Sequence, residues 1–138
     1  MPFKKLDANL FASPQLTPED VATAAEQGFR TIIDNRPDGE EPNQPSAAAI
    51  EAAAREHGLA FVHIPVVSGQ VGDAEIDAMA RALAEQPKPI LGYCRSGTRV
   101  ATLWALAQSG KAEADSLVNT ARAAGYDIEK LRSRLQPV

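Results

Sequence analysis

The chain has 138 residues, 44% of them hydrophobic and 23% charged, with a net charge of −4. That length suits one domain, residues 1–138, with a sizeable core, and the acidic balance argues against a nucleic-acid partner or an anionic membrane surface. No apolar run approaches the roughly 18 to 20 residues that cross a bilayer, Met1-Pro2-Phe3-Lys4-Lys5 leads into no secretion-signal pattern, and one cysteine makes no internal disulfide, so a cytoplasmic, reducing location is expected.

Asn9–Ser13 reads as an edge strand. Thr17-Pro18-Glu19-Asp20 then opens a helix, with a hydroxyl cap, a proline in the first turn and acids that complement the dipole. That helix turns Val21, Ala24 and Ala25 inward and ends at Gly28, a residue suited to a left-handed cap. Phe29–Asp34 is rich in β-formers and predicts a strand, followed by the irregular stretch 35–45. Ser46 caps an alanine-rich helix through Glu56 that stops at Gly58. Ala60–Val66 predicts a buried strand, Val67–Gly72 a loop, and Asp73–Glu85 an amphipathic helix presenting Ile76, Met79, Ala80 and Leu83. Pro89–Tyr93 predicts a short buried strand and Val100, Leu103, Trp104 and Leu106 the stripe of a helix. After the break at Ser109-Gly110, two more helices are expected, about 112–124 and 127–135.

Strands alternating with helices imply right-handed crossovers and a mainly parallel central sheet with helices on both faces, an α/β/α sandwich. Ligands of such sheets bind beyond the carboxyl ends of the strands. The loops after Ser13, Asp34 and Val66 and the segment Cys94-Arg95-Ser96-Gly97-Thr98-Arg99 therefore gather at one rim.

Cys94 is the chemically distinctive residue. It sits between a strand and a helix N-terminus, where unpaired N–H groups and the dipole favour negative charge. Such surroundings, with a nearby arginine, stabilise the thiolate, the nucleophilic form of cysteine. Gly97 allows the loop to curl its amides inward as an anion nest. Arg99 brings a planar fork suited to two oxygens of a tetrahedral anion. Cys94 and Arg99 are thus the candidate catalytic pair, and Arg95, Ser96, Gly97 and Thr98 the candidate substrate-binding loop. Arg95 is expected to face solvent and guide anions inward. Arg36 either reaches the anion site or pairs with Asp38 or Glu40. Asp73 is the candidate general acid, with an N-cap role for the following helix as the plainer alternative. His63 reads as a satisfied strand residue, His57 as a solvated helix end, and Leu103 and Trp104 as core. Two histidines and one cysteine show no ligand spacing, so no metal or other cofactor is expected.

Gly28-Phe29-Arg30-Thr31-Ile32-Ile33, the loop Asn35-Arg36-Pro37-Asp38-Gly39-Glu40, His63-Ile64-Pro65-Val66 and Tyr93–Arg99 together resemble the beta-lactamase hydrolase-like family with a phosphatase-like domain. The resemblance implies a fold similar to dual-specificity protein phosphatases and, for the reaction, either phosphate hydrolysis or sulfur transfer. Cysteine phosphatases place five residues between cysteine and arginine, with a hydroxyl residue next. Here four separate Cys94 from Arg99, and Val100 follows. That spacing resembles the active loop of rhodanese sulfurtransferases, and a shorter loop makes a narrower cradle. Sulfite also leaves without a proton, whereas an alkoxide requires a general acid. The expectation from sequence is therefore a sulfurtransferase that moves sulfane sulfur from a small anionic donor, thiosulfate or a persulfide, to a thiol acceptor such as glutathione. Phosphate hydrolysis through a phosphocysteine is the alternative enzyme, and an anion-binding or redox-sensing module the non-catalytic one.

Overall fold

A computed structural model describes residues 3–138; Met1 and Pro2, which begin the N-terminal segment read above, lie outside the described residues. Five strands form one sheet in the order β1-β2-β5-β3-β4, with β1 Lys4–Lys5, β2 Leu10–Ser13, β3 Thr31–Asp34, β4 Ala60–His63 and β5 Ile90–Tyr93. All neighbouring pairs are parallel except β1 with β2. The register aligns Ser13 and Asp34 with Tyr93, and His63 with Asp34, so four strands end at one rim.

The helices divide between the two faces as the alternation of strands and helices requires. Helices α1 (Pro18–Glu26) and α2 (Ala47–Glu56) cover one face, burying Val21, Ala24, Ile50 and Ala54 against Ile32 and Leu91. Helices α3 (Asp73–Glu85), α4 (Thr98–Ala107) and α5 (Ala114–Ala123) cover the other, where Met79, Leu103 and Leu117 meet Leu10, Ile33 and Ile90. Adjacent residues 32 and 33, or 90 and 91, thus serve opposite cores, the period-two geometry of a strand buried on both sides. Among the described residues no helix is long and apolar enough to cross a membrane.

Local sequence fixes the ends of the early elements. Thr17 caps α1 through the Asp20 amide while the Asp20 carboxylate accepts from the Thr17 amide, and Ser46 caps α2 through the Ala49 amide. The ladder is shorter than the apolar runs. Ile64 still donates to the Asp34 carbonyl, but Val66 donates to Asn35 rather than to Arg36, one residue short of the parallel register, and the Asn35 side chain takes the Ile64 carbonyl, so β4 ends at His63. β4 is also the sheet edge and is only partly buried, not the buried strand its composition suggested. Residues 127–135 do not form an α-helix. A 3-10 helix, Glu129–Arg134, stands there, and the two-residue β1 is an element the sequence did not signal.

Candidate active site

β5 delivers Cys94 to the rim, and the chain turns at once into α4. The turn is made by Gly97, the N-terminal cap of α4, at a φ of 104°. Glycine is required there twice over. A side chain rarely adopts that φ, and a Cβ would lie 2.3 Å from the Tyr126 hydroxyl, which packs directly onto the loop. The turn brings the Gly97 amide to 3.1 Å from Cys94 Sγ, so a backbone N–H points at the sulfur from the helix N-terminus. Cys94 is 1% exposed and lies beneath its loop. One turn on, Val100 packs into the space left by Gly92 of β5, where a Cβ would come within 2.8 Å of it. Val100 therefore holds α4 against the sheet.

Arg99 is 9% exposed and held through its terminal nitrogens. Its two terminal nitrogens donate to Glu40 Oε2 and Oε1 at 2.7 and 2.8 Å, and one of them also donates to the Val66 carbonyl at 2.8 Å. The bidentate carboxylate raises the arginine's pKa against the opposing effect of burial, and the charge available at Cys94 adds to that rise. Glu40 is held correspondingly low. The hydrogen bonds from Arg99, and then those from Arg36, bring its carboxyl down to about 2 against the desolvation it suffers.

Arg36 settles between its two readings. Buried to 3% exposure, it donates to Glu40 Oε1 at 2.8 Å, Glu41 Oε1 at 2.7 Å and Gln15 Oε1 at 2.9 Å. It supports the carboxylate that holds Arg99, and its ion pairs are with Glu40 and Glu41, not Asp38, which caps the Ala47 amide. Arg95 is largely in solvent with its Nε 3.2 Å from Glu41 Oε1.

Arg95, Ser96, Thr98 and Arg99 line a cavity of about 470 Å³ that extends to the loop at 68–71 and to Leu131 and Arg134 of the 3-10 helix. Asp73 is absent from it. It is the exposed first residue of α3, and the cap of that helix is Gly72, whose amide is held by Glu75 at 2.9 Å. Asp73 is thus not the cap, and it does not line the cavity. A glycine with a glutamate three residues on had already met the needs of that helix end. His63 lies at the sheet edge, with Nε2 3.2 Å from the Arg36 carbonyl and 3.5 Å from Asp34 Oδ2. Burial is the main cause raising Asp34, with hydrogen bonding and His63 opposing it.

Three participants escaped the sequence reading. Glu40 enters the sequence reading only as a possible partner of Arg36, although its place in the loop after β3 puts it at the rim. Tyr126, whose phenol is raised by burial and then by the charge at Cys94, follows a glycine after a helix and carries no sequence signal. Arg134 reads as one of several charges on a terminal helix.

Residues 2–111 match the sequence family described as beta-lactamase hydrolase-like protein, phosphatase-like domain. The chain belongs to that family. Beta-lactamase hydrolase-like proteins from Xylella fastidiosa and Agrobacterium fabrum are 38% identical over 125 residues and 33% identical over 111. These stretches are 89% and 79% of this chain but only 29% and 26% of those proteins. The chain therefore spans less than a third of the relatives' length. A crystal structure from Neisseria meningitidis, described as a candidate phosphatase, is 36% identical and superposes with a TM-score of 0.89 over 98% of this chain and 96% of that one. The Tk-PTP structure in its active form matches at 0.75 with 17% identity over 97% and 92% of the two chains, which is a likeness of fold. The beta-lactamase hydrolase-like phosphatase domain thus has a cysteine-phosphatase-like α/β fold, as the sequence resemblance implied. The same comparisons back the phosphatase alternative better than the sulfurtransferase expectation.

Proposed function

We propose that this domain hydrolyses phosphate monoesters through a phosphocysteine on Cys94. The observation that carries the reading is the arrangement at the sulfur: a thiol under a helix N-terminus, the Gly97 amide 3.1 Å from Sγ, and a guanidinium fixed alongside it. The family's phosphatase-like character supports it. The Cys94 thiolate attacks phosphorus, the ester P–O bond breaks, and the leaving oxygen departs with the electron pair. Water then attacks phosphorus, the S–P bond breaks, and the thiolate returns with release of phosphate. The loop amides and Arg99 stabilise the charge on the equatorial oxygens in both steps.

Among the described residues no aspartate or glutamate lines the cavity to protonate the leaving group. Asp73 is not part of that lining, and Glu40, at about 2, is an anion at neutral pH. The substrates must therefore expel a stabilised anion, such as a phenolate. An assay of aryl against alkyl phosphates tests this. Wild type should cleave 4-nitrophenyl phosphate with a burst of nitrophenol, because the second step also lacks a base, and leave alkyl phosphates essentially intact. Asp73→Asn should change the aryl rate less than about twofold, well short of the 10²-fold or more that a general acid contributes. Efficient alkyl phosphate cleavage that disappears in Asp73→Asn would overturn the assignment of an acid-free site.

One observation favours a second reading. Only four residues separate Cys94 from Arg99, and Val100 is committed to packing on Gly92 with no hydroxyl to offer a leaving thiolate. A narrow cradle and a leaving group that needs no proton also suit sulfur transfer from thiosulfate or a persulfide to a thiol such as glutathione. Sulfur transfer from thiosulfate without any aryl phosphate cleavage would install that reading instead.

A further inference from the structure

The cavity above the cysteine loop is far more cationic than the molecule around it. In a chain of net charge −4, three guanidiniums, those of Arg95, Arg99 and Arg134, line one space of about 470 Å³, and its lining includes no aspartate or glutamate. The three are not equivalent. Arg99 is bound by Glu40 in a bidentate pair and Arg95 approaches Glu41. The neighbouring Arg132 is taken up by Glu129 and Asp115. Arg134 is exposed and pairs with no carboxylate among the described residues. It stands on a different wall from the cysteine loop, brought there by the 3-10 helix, and the Ser68 hydroxyl lines the same space.

One anion seated on the loop amides is served by α4 and Arg99, which leaves the Arg134 wall without a counterion. We infer that the cavity takes a small substrate bearing two anionic groups, one presented to Cys94 and the other held by Arg134. This deepens the phosphohydrolase reading and rests on it for the fate of the first group. The occupant is a small bisphosphate, because both cationic walls belong to one cavity within the range of about 300 to 1,000 Å³ usual for small-ligand clefts. A guanidinium fork matches the oxygens of a phosphate dianion in geometry as well as charge. Arg134 lies beyond residues 2–111, the stretch that matches the family, so this specificity would be a property of the chain's C-terminal segment.

Binding tests the inference apart from turnover. The full chain carrying Cys94→Ser is titrated calorimetrically with alkanediol bisphosphates, from ethanediol to hexanediol, used as uncleaved probes of the spacing between the two anionic groups, and with the matching monophosphates. At least one bisphosphate should bind about tenfold or more tighter than its monophosphate, a difference of about 1.4 kcal/mol. Arg134→Ala should collapse that ratio to about one, and Arg134→Lys should keep part of it, since lysine retains charge without the fork. Arg134 is exposed, so neither change threatens the core. A ratio near one in the parent protein, or one that survives Arg134→Ala, overturns the inference. So does an Arg134-dependent preference for an acidic phosphotyrosyl peptide with none for any bisphosphate, which would move the second anion onto a protein substrate. Failure of wild type to release phosphate from any ester strikes the phosphohydrolase reading alone, and the binding ratio still decides the subsite.

Discussion

At the scale of the residue, the site is organised by Glu40 as much as by the cysteine. An arginine left free beside a thiolate could swing onto the sulfur or into solvent. Glu40 removes that freedom by taking two of its nitrogens, and Arg36 holds Glu40 in turn. The pairing has a thermodynamic signature. The Glu40 carboxyl ordinarily titrates at 4.5 and is lowered to about 2 in the fold. A depressed carboxyl adds stability that is fully present above its unfolded pKa and is lost as pH falls through the folded value. Glu40→Gln should therefore be less stable than wild type at neutral pH, and the gap should close between about pH 4.5 and 2. Thermal unfolding of both proteins across that range checks it, and a gap independent of pH would show that the carboxylate charge contributes nothing.

At the scale of the element, the decisive unit is β5, its loop and α4. Its two glycines are not interchangeable with alanine, and for different reasons. Gly92 admits Val100 against the strand, whereas Gly97 combines a φ of 104° with contact from Tyr126. Gly97→Ala should destabilise the fold by about 1–3 kcal/mol, the usual cost of a side chain held in such backbone. It should also abolish turnover, because the amide on Cys94 Sγ would move. Denaturant unfolding and an aryl phosphate assay together test this, and wild-type stability with wild-type rate would contradict it. Much of this unit was legible in the sequence. The apolar run before Cys94, the glycine in the turn and the stripe from Val100 to Leu106 each report a local preference that the fold keeps. The end of β4 was missed because apolar composition says nothing of the slip in register at Asn35, whose side chain takes the Ile64 carbonyl. The C-terminal segment was missed because a 3-10 helix and an α-helix share most of their sequence signals over six residues. Sequence likewise marks a helix start at Asp73 but not whether that start lines the cavity, which it does not. Glu40, Tyr126 and Arg134 reach the site from residues 40, 126 and 134, and contacts that distant leave no mark in local pattern.

At the scale of the whole molecule, a parallel sheet carries four loops to one rim, and an acidic chain builds there a local cationic cavity. The global field repels anions and contributes nothing to their capture, so recognition depends on short-range hydrogen bonds at the cysteine loop. The relatives from Xylella and Agrobacterium extend well beyond the length spanned here, so what those longer proteins do is not carried by this domain's geometry alone. The proposed hydrolysis makes one covalent prediction: phosphorus is transferred to Cys94. Intact-mass measurement of the chain, acid-quenched within the burst on 4-nitrophenyl phosphate, tests it most directly. Wild type should gain about 80 Da, one phosphoryl group, and Cys94→Ser should gain nothing. An unmodified mass during demonstrable turnover, or the same gain on the serine variant, would contradict it.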